Sequence, residues 1–137
     1  MKKKVTICII ALLLVFAVAY SLIPVEKLIL FLPYDKVIHA DDSAIPCRLI
    51  NLSLKVVDFD GPYYVLECCK DNEWIHCTRN SDIRFEAWRG YLHPFHMKDF
   101  DFYLKIYDPL QAGEYRIRKT MEYNGEEFYV YCYFTIV

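Results

Sequence analysis

The sequence predicts an all-β domain, a sandwich of two antiparallel sheets preceded by one N-terminal apolar helix. Three observations lead there. Aromatic residues make up 17% of the 137 residues, with 12 Tyr and 9 Phe, and such side chains favour the pleated, half-buried surface of a sheet. Several segments alternate apolar and polar residues with a period of two. The long uninterrupted apolar run lies within the first 24 residues, apart from those alternating segments. A chain of this length holds one domain plus a targeting segment.

Lys2, Lys3 and Lys4 precede residues 5–23, a run without a charge that ends at Pro24. At about 1.5 Å per residue, a helix of this length roughly matches the hydrocarbon thickness of a bilayer. A soluble helix would carry a polar face, and this run has none. The lysines are expected to stay cytoplasmic, which puts everything after Pro24 outside. Residues 1–24 are therefore either a signal peptide or a transmembrane anchor. Ala17-Val18-Ala19 supplies the small-residue site of a signal peptide, and cleavage after Ala19 would release a secreted protein. An anchor fits Tyr20 near the outer end and a run longer than the usual signal core. It would give a single pass through the cytoplasmic membrane with the C-terminal domain outside. Residues 25–46 hold a second apolar run, 28–32, and the polar Asp41-Asp42-Ser43, so they are expected to be a stem and linker. The folded domain then covers residues 47–137.

Within that domain, residues 48–57 supply one or two strands. Residues 63–69 and 73–77 form a hairpin over Asp71-Asn72, and residues 83–85 a short strand. Residues 98–107 put Phe100, Phe102, Leu104 and Ile106 on one side, with Asp99, Asp101, Tyr103 and Lys105 on the other. The clearest pattern is the pair 114–121 and 126–137 around Asn124-Gly125, a dipeptide suited to the positive φ angles of a two-residue hairpin. That turn sets a register in which Met121 faces Phe128, Ile117 faces Cys132 and Tyr115 faces Phe134. On the other side Thr120 meets Tyr129, Arg118 meets Tyr131 and Arg116 meets Tyr133. One face is apolar except for Lys119 and belongs to the core. The other is a ladder of Arg and Tyr.

Leu110-Gln111-Ala112-Gly113-Glu114-Tyr115-Arg116-Ile117 opens the first strand of this hairpin with the form L-x-x-G-x-Y-R-I. In immunoglobulin-like sandwiches a Tyr near the start of the penultimate strand bonds back to nearby backbone and pins the corner. With Tyr64-Val65-Leu66-Glu67, Asp71-Asn72-Glu73-Trp74 and the closing Phe134-Thr135-Ile136, the chain resembles the bacterial immunoglobulin-like domains of exported Gram-positive proteins. The resemblance runs from about Cys47 to the C-terminus and makes Trp74, Gly113, Tyr115 and Ile117 fold-defining positions. It implies an immunoglobulin-like sandwich and a binding or spacer module, with no catalytic residue to carry over. The chain departs from the pattern at Asn72, where the family often has Gly, and in its Cys-rich middle. Ile117 stands where antibody domains carry a cysteine, so the antibody-type disulfide is absent.

Other chemistries find little support. Beyond the three leading lysines the chain has 13 basic and 18 acidic residues, which argues against nucleic-acid binding. Four Gly are too few for a glycine-rich nucleotide loop. Outside the leader lie Cys47, Cys68, Cys69, Cys77 and Cys132, an odd number that cannot all pair within one chain. Cys68 or Cys69 is placed to approach Cys77 across the hairpin, whereas Cys132 faces the core as a small hydrophobe. Cys68, Cys69, His76 and Cys77 are zinc-type ligands, but adjacent cysteines point to opposite strand faces. In His93-x-x-His96, Pro94 removes the helix that would bring the pair together. Ser21, Ser43, Ser53 and Ser81 lack nucleophile-elbow glycines, and Asp99 with Asp101 reads as an acidic outer strand face rather than a glycosidase pair. No cofactor is expected.

The strongest functional lead is the ladder of Arg116, Arg118, Tyr129, Tyr131 and Tyr133, because Tyr and Arg dominate binding hot spots and pair as cation–π contacts. Trp88 and the loop 91–95 are a second aromatic candidate. The expected role is a non-catalytic interaction or spacer module at the bacterial cell envelope, with an envelope protein or polymer as partner. The alternative is a metal- or redox-responsive envelope sensor using Cys68, Cys69 and Cys77.

Overall fold

A computed structural model describes residues 2–80, 85–107 and 109–137. The apolar run forms helix α1 (Lys2–Ser21), followed by a single 3-10 turn at Val25–Lys27. Among the described residues ten strands follow: β1 (Ile29–Pro33), β2 (Val37–Ile38), β3 (Ala44–Asn51), β4 (Val57–Asp60), β5 (Val65–Lys70), β6 (Glu73–His76), β7 (Arg89–Leu92), β8 (Met97–Tyr103), β9 (Gly113–Tyr123) and β10 (Glu126–Ile136).

They build two sheets. The smaller has the order β1-β3-β8. In the larger, β10 lies between β2 and β9, and the far edge of β9 is shared. Its start pairs with β5, which carries β6, and its end pairs with β4, which carries β7. The pairings are antiparallel except for β2 with β10, where Thr135 lies beside Val37 and Ile136 beside Ile38 in parallel. Inward side chains of both sheets form one core. Ile29, Phe31, Leu49 and Phe102 come from the smaller sheet, and Ile117, Met121, Phe134 and Ile136 from the larger. This is the immunoglobulin-like sandwich the sequence predicts.

The long hairpin has the register set by its turn. Met121 lies opposite Phe128, Ile117 opposite Cys132, and Arg116 opposite Tyr133. Asn124 and Gly125 have φ of 53° and 80°, as a two-residue turn of this hand requires. The β5–β6 hairpin turns in the same way, with Asp71 at 52° and Asn72 at 64°. Asn tolerates this region through its short polar side chain, which explains how it stands in for Gly.

Three expectations need correction. Residues 25–46 are not merely stem and linker, since β1 pairs with β3 along its whole length and β2 extends the larger sheet. Ile29 and Phe31 point into the core while Leu30 and Leu32 point out. An apolar residue on both faces hides the period of two. The strand expected at 98–107 ends at Tyr103, where a turn begins, although Leu104 and Ile106 still face inward. Part of the segment 91–95, read as a loop, belongs to strand β7. There Gly90 lies against the Phe59 ring, in space that a β-carbon would fill. The short strand expected at 83–85 falls largely outside the described residues.

Two buried polar side chains tie the loops to this core. Lys119 is fully buried, and its Nζ donates to the carbonyls of Asp60, Gly61 and Tyr63 at 2.6, 2.6 and 3.1 Å. Burial pushes this amine down to about 8. Asn51, equally buried, donates from Nδ2 to the carbonyls of Lys55 and Leu92 and accepts at Oδ1 from the Ser53 backbone and hydroxyl. It fixes the loops at the end of the sandwich that α1 enters, where the Tyr20 hydroxyl donates to the Leu52 carbonyl.

Candidate interaction face

Alternation along β5, β6, β9 and β10 places Glu67, Trp74, His76, Arg116, Arg118, Tyr129, Tyr131 and Tyr133 on the solvent side of the larger sheet. The five expected ladder residues are therefore together. Arg116 lies over two rings, 4.4 Å from the centre of Trp74 and 4.3 Å from Tyr131. Arg118 covers Tyr129 at 4.8 Å. Trp74 and Tyr133 meet edge to face at 5.8 Å. Trp74, expected to define the fold, belongs to this outer cluster.

The organiser of the face is Glu67, which sequence reasoning named only as part of a strand motif. Its side chain is 3% exposed although it lies on the outer face. Arg116 Nε donates to its Oε2 at 2.5 Å, His76 Nε2 lies 3.1 Å from its Oε1, and Arg118 Nη1 lies 3.6 Å from the same oxygen. A desolvated carboxylate needs such partners. Only the pairing of β5 with β9 reveals its role, by setting Glu67 directly opposite Arg116. Both guanidinium groups are thereby drawn to Glu67, with side chains 16% and 25% exposed. What remains open to a partner is aromatic, with Tyr129 and Tyr133 about half exposed. A shallow hollow of about 280 Å³ beside Tyr133 is lined by Lys36, Trp74, Glu114 and Thr135. It offers flat apolar surface edged by charge, suited to non-covalent contact.

The remaining candidates scatter. Tyr115 donates from its hydroxyl to the Gln111 carbonyl at 2.8 Å, closing the corner that leads into β9, and Ile117 is fully buried. Cys68 and Cys77 face the inner side beside a cavity of about 490 Å³, which Cys69 and His76 also line. Burial and the neighbouring Cys68 push the Cys77 thiol up to about 12, the opposite of what a reactive thiol needs. Among the described residues no three His, Cys, Asp or Glu side chains gather with metal-holding geometry. The His93 and His96 rings lie 5.8 Å apart in a loop. Asp99 receives two hydrogen bonds from Arg48, its cross-strand neighbour. Ser53 is taken up in the Asn51 network, and Ser81 lies outside the described residues. Trp88 is half exposed beside Lys98, while Tyr91 and Phe95 project into solvent.

The sequence profile of a family described as Bacterial Ig-like domain matches residues 33–134. Comparison with curated proteins gives no match. Among solved structures, a similar chain is the ASH / PapD-like domain of human CEP192 (PapD-like domain 7). It is 11% identical, with a TM-score of 0.41 over 83% of this chain and 88% of that one.

Proposed function

The chain belongs to the bacterial Ig-like domain family, and on that premise we propose that it is a non-catalytic interaction module held at the bacterial cell envelope by α1. The observation that carries this reading is the state of α1. Lys3–Ser21 is apolar and long enough to cross a membrane, and none of it is buried against the rest of the chain. Leu12, Leu13, Leu14, Val15 and Phe16 are each more than half exposed. In water this surface would be costly to leave uncovered, and lipid covers it.

The end of the sandwich next to α1 supports the same placement. Leu22, Leu54, Val56 and Phe95 are exposed there, in segments joined to α1 through Tyr20–Leu52 and to each other through Asn51. Phe95 sits at a φ of 58°, a conformation that bulky residues rarely adopt. Apolar loop tips and a Tyr at the helix exit suit the membrane–water boundary.

With α1 as anchor, the outer face of the larger sheet is presented to the envelope. Tyr129 and Tyr133, with Trp74 behind them, are the contact residues for an envelope protein or polymer. A photo-crosslinking residue at position 133 in intact cells tests this, with position 103 on the other sheet as control. Tyr103 is as exposed as Tyr133. Adducts at 133 and not at 103 support the face. Equal labelling, or none at 133, removes it and leaves a spacer.

A further inference from the structure

The five cysteines beyond the leader fall into distinct settings. Cys69 lies opposite Trp74 on the outer face, and Cys68 neighbours Cys77 beside a cavity. Cys47 and Cys132 differ from these. Both have no exposed surface, they are 85 residues apart in sequence, and they come from different sheets, β3 and β10. Their sulfur atoms nevertheless lie 3.4 Å apart in the centre of the core. The two sheets approach each other here, because β1, the edge neighbour of β3, runs close to β10.

We propose that Cys47 and Cys132 close a disulfide between the two sheets when the domain folds outside the cytoplasm. A disulfide has its sulfurs about 2 Å apart, so two sulfurs at 3.4 Å need to close by only about 1.4 Å to bond. The location has its own logic. Ile117 occupies the position where antibody domains carry a cysteine, and Cys132 is its direct cross-strand neighbour. A Cys47–Cys132 bridge would join the two sheets one strand over, on β10.

The chemistry is a two-electron oxidation. The Cys47 and Cys132 thiols lose two protons and two electrons as the S–S bond forms. The acceptor is the disulfide of an extracytoplasmic thiol–disulfide oxidoreductase, which is reduced to two thiols through a mixed-disulfide intermediate. Because both sulfurs are buried in the finished fold, exchange takes place before the sandwich closes, and the bridge is shielded afterwards. The cellular setting rests on the envelope reading above, whereas the bonding geometry does not.

The test uses the full chain, α1 included, in detergent. It is unfolded in guanidinium and refolded in a mixture of oxidised and reduced glutathione, then quenched with acid, alkylated under denaturing conditions and peptide-mapped. The expected product links the Cys47 and Cys132 peptides. Reducing this species lowers its melting temperature by about 10 °C or more, given a loop of this length. A Cys47→Ala/Cys132→Ala variant should melt at one temperature with or without reductant. Recovery of both cysteines as alkylated monomers from refolded protein, or bridges from either to Cys68, Cys69 or Cys77, overturns the proposal. Glutathione reports the bridge whatever compartment the chain occupies, so its failure is distinguishable from failure of the envelope reading.

Discussion

The Arg116 guanidinium donates to the Glu67 carboxylate at 2.5 Å on a sheet face that otherwise opens to solvent. The acid is 3% exposed, with His76 and a second arginine, Arg118, also beside it. In turn it holds Arg116 against the rings of Trp74 and Tyr131. The exposed aromatic surface therefore rests on an ion pair beneath it.

Replacing Glu67 by Gln keeps the shape and removes the charge. Arg116 and Arg118 then face a neutral amide, and the variant should lose about 1–3 kcal/mol. Chemical denaturation reads the loss, and near-ultraviolet circular dichroism reads the loosening of Trp74. Unchanged values for both would mean that the rings hold themselves in place.

Tyr115→Phe removes the hydroxyl that binds the Gln111 carbonyl and little else. The expected cost is about 1 kcal/mol, seen in the denaturation midpoint with the slope unchanged. Hydrogen exchange should rise first at residues 109–113, where the corner loses its tie.

Lys119 predicts a pH dependence. Its amine is at about 8 when folded, from 10.5 unfolded, with burial as the first cause. Between those values the unfolded chain binds the extra proton, so stability rises with pH across that window and is flat below it. Relative to Lys119→Met, the wild-type chain should gain about 1.5 kcal/mol between pH 8 and 9.5. The upper limit stays below 10, where the buried Tyr64 phenol, raised by burial, acts in the opposite direction. A flat difference across this range would contradict the assignment.

Asn51→Ala removes the amide that donates to the carbonyls of Lys55 and Leu92 and the oxygen that accepts from the Ser53 backbone and hydroxyl. A loss of about 2–4 kcal/mol is expected. Exchange should accelerate at residues 52–56 and 93–96 before it does so in β9 and β10.

Local rules made the best-defined parts of this molecule legible. Asn124-Gly125 fixes its turn within two residues, and every cross-strand pair of the long hairpin follows by counting from it. The motif around Tyr115 is local in the same way, since its bond reaches four residues back. What escaped depends on distant partners. Ile29–Pro33 is apolar on both faces, so its alternation is visible only once β3 is beside it. Cys47 is only one of five cysteines beyond the leader until β10 brings Cys132 against it. Glu67 looks like a surface acid until β9 covers it with two arginines, which also engages the Arg half of the ladder and leaves the Tyr half free.

The most direct test of the envelope reading is the intact mass of the protein from the membrane and culture-medium fractions of cells that make it. An anchored module predicts the full-length mass in the membrane fraction, resistant to carbonate washing, with the domain digestible by protease added outside spheroplasts. A chain beginning at Tyr20 in the medium, or a full-length chain in the cytosol, would contradict it.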